Sequence, residues 1–200
     1  MIRFAHYKED KLYCCDEHQH QEVRHITLEN LFDEQDLFGY IPITYRNWCD
    51  WWTRHGDKRA YVMPYFHKKE IWCPISSVYQ SEVFCINLYG LQNFQSHSHF
   101  IRCYFKESVI DLYISKTKMY TLLEQLALMI DRFRVVGIIP EFNTEEWQRN
   151  NPYLNIDCYL NRKNHEAIDK KRQYFQDVIT VYNFRELLLN ENQKSNTEKI

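Results

Sequence analysis

The segment His99–Ser115, HFIRCYFKESVIDLYIS, decides the fold class. Apolar residues alternate with polar or aromatic ones on both sides of a polar break at Glu107 and Ser108. This pattern predicts an antiparallel hairpin with one buried face. The residues predicted to point inward are Ile101, Cys103, Phe105, Ile110, Leu112 and Ile114.

Further strands precede this hairpin, and helices are concentrated after it. The clearest helix is predicted at Lys118–Arg134, where leucine, isoleucine, methionine and phenylalanine form one apolar stripe. The order of elements predicts an α+β fold, an antiparallel sheet with helices packed mainly from the C-terminal half. The other predicted strands are Lys11–Cys15, Glu22–Ile26, Tyr61–Phe66, Ile71–Ile75, Glu82–Tyr89, Val135–Ile139 and Tyr153–Leu160.

Four more helices are predicted. Thr27 and Thr44 each cap one, and these two helices end at Gly39 and Gly56. A brief helix contains Trp147, and a long one covers His165–Leu189, although residues 178–184 also suit a strand. We predict a single globular domain over residues 1–190, and a polar tail over 191–200 that frays.

Composition favours an ordinary globular protein. The chain is 44% hydrophobic and 26% charged, which excludes wholesale disorder. The first residues lack the apolar core of a secretory signal, and seven scattered cysteines form no disulfide framework. We therefore expect a cytoplasmic protein with reduced thiols. The longest apolar runs are too short to span a membrane, so no membrane partner is expected.

Glycine is scarce, which limits the chemistry. The four glycines are Gly39, Gly56, Gly90 and Gly137, and no two lie within six residues of each other. Loops that wrap phosphates need two or three glycines close together. Nucleotide-binding glycine motifs and the serine elbow of α/β-hydrolases are therefore excluded, and no cofactor is expected.

The hexapeptide RHGDKR at residues 54–59 contains the only motif with a catalytic precedent. Arg54-His55-Gly56 resembles the RHG motif of the histidine phosphatase family, in which the histidine accepts a phosphoryl group and arginines bind its oxygens. The resemblance implies catalytic roles for Arg54 and His55. That family places the motif after a buried apolar strand, whereas here a tryptophan-rich stretch precedes it. A helix C-cap at Gly56 explains the same residues and is the favoured interpretation.

Histidines and cysteines suggest two further chemistries. His97, His99 and Cys103 would share a strand face if that strand begins early, and these side chains could bind zinc. Cys73 or Cys85 could meet a histidine to form a nucleophilic pair. Satisfied histidines and buried, inert cysteines are the more general explanation of both.

The first quarter of the chain is acidic. Residues 1–50 carry ten acids and five bases, a balance of −5, whereas the rest of the chain balances at +3. No broad basic surface is present, so nucleic acid is not an expected partner. The outer face of the first predicted helix carries four acids and no base. These residues, which could also be a solvated face, are Glu29, Asp33, Glu34 and Asp36.

Together these observations favour surface binding over catalysis. Our leading hypothesis is a non-enzymatic cytoplasmic protein that binds another protein through this acidic face and through Trp51. It would act as an inhibitor or immunity-type protein on a basic partner, such as a toxin. The alternative is a small hydrolase, either phosphatase-like through Arg54 and His55 or metal-dependent through His97, His99 and Cys103.

Overall fold

The computed structural model describes residues 2–9, 11–16, 18, 20–24, 64–67, 70–75, 82–135, 145–162 and 165–181. The fold is α+β, with antiparallel sheets first and the described helices in the C-terminal half, which confirms the predicted class. Contacts divide the chain into two compact units, Met1–Leu88 with Val178–Ile200, and Tyr89–Asp177. The single domain over residues 1–190 and the frayed tail stay predictions.

The first unit contains a six-stranded sheet. Its strands follow the order β3-β2-β1-β6-β5-β4, and every neighbouring pair is antiparallel. The strands are β1 (Ile2–Lys8), β2 (Lys11–Asp16), β3 (Gln21–Arg24), β4 (Tyr65–His67), β5 (Glu70–Pro74) and β6 (Glu82–Asn87). Strand β1, which the sequence analysis did not predict, lies at the centre between β2 and β6.

Alternation along these strands separates a buried face from a more exposed one. Ala5 on β1 lies opposite Cys14 on β2 and opposite Cys85 on β6, and all three are buried. Small side chains suit this position because three adjacent strands bring their side chains close together. Tyr13, one residue from Cys14, lies on the other face and is exposed.

The second unit begins with a three-stranded sheet in sequence order. Strands β7 (Asn93–Ser96), β8 (Ile101–Tyr104) and β9 (Val109–Leu112) form a meander. The predicted hairpin is confirmed in β8 and β9, and β7 is a polar edge strand that the sequence analysis missed. Of the residues predicted to point inward, Ile110 is half-buried. The others are buried, namely Ile101, Cys103, Phe105, Leu112 and Ile114.

Helices follow in the chain, and they belong to the second unit as far as Asp177. They are α1 (Lys116–Val135), α2 (Glu145–Asn150), a 3₁₀ turn (Pro152–Leu154), α3 (Asp157–Leu160) and α4 (His165–Val181). Helices α1 and α4 are joined by two ion pairs, one of which binds Glu124, a carboxylate only 1% exposed, to Lys171 at 2.7 Å. Arg172 binds Asp131 at 3.0 Å. Val135, predicted as the start of a strand, is instead the last residue of α1.

The strand predicted at Tyr153–Leu160 is wrong. Pro152 starts the 3₁₀ turn, and the Asn155 side chain accepts the N–H of Asp157 at 3.1 Å before α3. Proline favours the first position of a helical turn, and an asparagine side chain that accepts the N–H two residues on favours a turn over a strand. Residues 178–181, whose sequence suits a helix or a strand, are helical. The two helices predicted after Thr27 and after Thr44 lie outside the described residues.

The described part of the chain contains no helix that is both long enough and apolar enough to cross a membrane.

Candidate functional site

Most of the predicted site residues lie outside the described ranges. These are the acidic residues Glu29, Asp33, Glu34 and Asp36, the tryptophan Trp51, and the phosphatase-like residues Arg54 and His55. The interpretations that rest on them stay predictions.

The predicted metal ligands are described, and the condition for that site is not met. Strand β8 begins at Ile101, so His97 and His99 lie in the turn before it rather than on the strand that contains Cys103. Both histidines are exposed, whereas Cys103 is fully buried. Within the described ranges, no group of three or more His, Cys, Asp or Glu side chains could hold a metal ion.

The buried thiols are poor nucleophiles. Burial raises the pKa of Cys103 to about 12, and it raises the pKa of Cys73 well above its ordinary value. A thiol with a raised pKa stays protonated at neutral pH, and the thiolate is the reactive form. These two cysteines therefore behave as small core residues.

The turn between β7 and β8 instead builds an aromatic surface. The backbone N–H of His97 donates to the carbonyl of Phe100 at 2.9 Å, which closes a tight turn. The two rings consequently stack, with centroids 4.5 Å apart and planes 15° apart. Phe100 is half-buried and His97 is exposed, so the stack lies at the surface.

An ion pair on the neighbouring strands supports this stack. Arg102 and Asp111 lie directly opposite each other on β8 and β9. The guanidinium donates to both carboxylate oxygens at 2.7 Å and lies 5.3 Å from the centre of the Phe100 ring. The hydrogen bonds from Arg102 hold the pKa of Asp111 below its ordinary value, and those same bonds raise the pKa of Arg102.

Tyr113 extends the surface just beyond β9. It is 82% exposed, the largest exposure among the large apolar or aromatic side chains of the described chain, and its ring centre lies 6.2 Å from that of Phe100. We call this group of residues the Phe100 surface. It consists of His97, Phe100, Arg102, Asp111 and Tyr113.

The opposite face of the same sheet is packed against aromatic side chains. The ring of Phe94 on β7 meets the ring of Tyr120 edge-on, with centroids 5.3 Å apart. The centroid of the Tyr153 ring lies 5.2 Å from that of Phe94. At the edge of the sheet, the Tyr153 hydroxyl donates to the side-chain oxygen of Asn93 at 3.2 Å.

Only part of this surface can be predicted from the sequence. Alternation placed Arg102, Asp111 and Tyr113 on the outer face, and the structure agrees. It did not indicate that Phe100 and His97 stack, because that contact depends on the geometry of a four-residue turn. The available signal was an exposed aromatic beside a cross-strand arginine and aspartate pair.

Comparison with family models, with curated proteins and with solved structures finds no match to this chain.

Proposed function

We propose that this protein acts without catalysis, by binding another protein through the Phe100 surface. The observation that carries the proposal is the exposure of Tyr113 beside a stacked phenylalanine and a fixed arginine. Tyrosine, phenylalanine and arginine are enriched in protein interfaces, and tyrosine and arginine often contribute most of the binding energy.

The geometry also lowers the cost of binding. Ordering a long side chain at an interface costs about 0.5–1.5 kcal/mol. Arg102 is already held by two hydrogen bonds to Asp111, and the His97 and Phe100 rings are already stacked. A partner therefore meets side chains that need little further ordering.

The proposed partner is basic, and the protein acts on it as an inhibitor or immunity-type protein. The balance of −5 over residues 1–50 supports this part of the proposal, because acidic surfaces accelerate association with basic proteins. The proposed place of action is the cytoplasm. The six described cysteines are not joined in disulfides, an arrangement typical of proteins in that compartment.

The test compares two exposed tyrosines. Tagged wild type, Tyr113→Ala and Tyr174→Ala are used to capture partners from the native host, and each captured protein is then purified and its Kd measured. Tyr174 is 41% exposed on α4 and serves as the matched control. Loss of an interface hot spot costs about 2 kcal/mol or more, so Tyr113→Ala should weaken binding by at least about tenfold. Equal affinity of all three forms for every captured protein would refute the proposal.

The acidic segment is tested separately. Replacing Asp33, Glu34 and Asp36 by lysine should slow association with the same partner at low salt, and the difference should shrink at high salt because screening weakens such steering. An association rate that does not change at low salt would exclude this segment from the interface, independently of the result at Tyr113.

A further inference from the structure

Strand β3 forms one end of the six-stranded sheet. It pairs with β2, and none of the other described strands lies along its outer side. The outer side of an edge strand presents backbone N–H and C=O groups that can pair with another strand. Residues 21–23 of this strand are exposed, so the strand is accessible from solvent.

Charged and apolar side chains alternate along β3. Val23 is 49% exposed and lies directly opposite Tyr13 on β2, which is 38% exposed. Glu22 and Arg24 flank Val23 and lie on the other face of the strand. Their side chains are joined at 3.0 Å. The strand thus carries one acid and one base placed symmetrically about an exposed apolar residue.

This symmetry matters when the strand meets a second copy of itself. In an antiparallel pairing centred on Val23, Glu22 of each copy lies opposite Arg24 of the other copy. Natural edge strands are commonly protected by charges that repel an approaching strand. Here the charges attract, since opposite charges directly across a strand pair are stabilising and like charges are destabilising.

The edges of the second sheet lack this property. Strand β9 has a single charged residue, Asp111, and β7 has none, so neither strand carries an acid and a base placed symmetrically about a central residue. Self-complementary charge therefore distinguishes β3 from both edges of the second sheet.

We propose that two copies of this chain associate by antiparallel pairing of their β3 strands, centred on Val23. The pairing joins two six-stranded sheets into one continuous sheet, with Val23 and Tyr13 of both copies forming a shared apolar strip. This interaction goes beyond the proposed function, because it uses a different surface and a second copy of the same chain.

The test uses charge exchange in the full chain. Mass is measured by analytical ultracentrifugation over a concentration series for wild type, Glu22→Arg, Arg24→Glu and the double variant Glu22→Arg/Arg24→Glu. Each single variant places like charges opposite each other at two positions, so its dimer Kd should rise about tenfold or more. The double variant restores opposite charges and should dimerise like wild type.

Mixing the two single variants sharpens the test. One then carries two bases and the other two acids on β3, so an equimolar mixture should form a heterodimer at concentrations where each variant alone dimerises about tenfold more weakly or less. Glu166→Arg, an equal change of charge on α4, is the control and should dimerise like wild type. Circular dichroism verifies the fold, and the double variant keeps the charge composition of wild type.

Several outcomes would overturn the proposal. These are a wild type that stays monomeric over the whole series, single variants that dimerise as strongly as wild type, or a mixture that stays monomeric. Equal loss of dimer in Glu166→Arg would assign the effect to net charge and would overturn it as well.

Discussion

The two sheets are both antiparallel, yet they bring their strands together from very different distances along the chain. In the first sheet, Phe4 on β1 pairs with Ile86 on β6, and β1 also pairs with the adjacent β2. In the second sheet, β7, β8 and β9 follow one another within residues 93–112. Pairing between distant segments costs more chain entropy before it is stabilised. It also leaves no local signal of which strand is the partner.

The largest predicted effects test whether the two sheets are equally well packed. Leu12 on β2 and Leu112 on β9 are 0% and 2% exposed. Replacing either by alanine should lower the free energy of unfolding by about 2–5 kcal/mol, because each change leaves a cavity in a close-packed region. Urea denaturation measures both. A cost below about 1 kcal/mol for either leucine would show that its sheet is packed more loosely than the burial indicates.

A second comparison concerns buried asparagines. Asn87 accepts the N–H of Ile71 in the first unit, and Asn151 accepts the N–H of Gly90 at 2.7 Å in the second. Gly90 has a φ of 77°, a conformation that favours glycine, so this bond fixes an unusual turn.

Each asparagine is at most 1% exposed. Asn87→Ala removes the bond to the buried N–H of Ile71, and Asn151→Ala removes the bonds to the half-buried N–H of Gly90 and to the buried carbonyl of Trp147. We expect a loss of about 1–3 kcal/mol for Asn87→Ala and for Asn151→Ala in thermal or urea denaturation. The exposed Asn161 is the control, and Asn161→Ala should change stability by less than about 0.5 kcal/mol. A similar loss in all three variants would contradict a special role for the buried pair.

The smallest effects come from one cross-strand ion pair in each sheet. Lys8 lies opposite Glu82 with its Nζ 2.9 Å from a carboxylate oxygen, and Arg102 lies opposite Asp111. Hydrogen bonds to these bases lower the pKa of Glu82 and of Asp111. A carboxyl group whose pKa is lowered in the folded state stabilises the protein at pH values above the pKa that the same group has in the unfolded chain. That contribution is lost as the pH falls through the folded value.

Thermal unfolding is measured over a pH series. At neutral pH the Tm of wild type should therefore be higher than the Tm of Glu82→Gln and higher than that of Asp111→Asn. Each difference should begin to shrink as the pH falls below the ordinary carboxyl values near 4.5 and 3.8, and it should vanish below the lowered pKa of the folded state. The Asp111 difference should be the larger, since arginine makes two parallel hydrogen bonds and lysine makes one. Differences that persist unchanged in acid would exclude carboxyl ionisation as their cause.

The sequence by itself determined the elements whose partners are close along the chain. The β8 and β9 hairpin, the apolar stripe of α1 and the helix around Trp147 follow from alternation, helical spacing and capping residues. The outer positions of Arg102, Asp111 and Tyr113 follow from the same alternation. These features depend on neighbours a few residues away, so their pattern is visible without the fold.

Only the tertiary structure decided the central place of β1 and the helical form of residues 152–160. Strand β1 carries Arg3, His6 and Lys8 among its apolar residues, so its burial depends on the partners β2 and β6 rather than on its own pattern. Residues 153–160 alternate like a strand, yet burial of Leu154, Ile156 and Tyr159 holds them as helical turns. The stacking of His97 on Phe100 likewise requires the closed turn, because a contact between side chains is set by backbone geometry that composition does not specify.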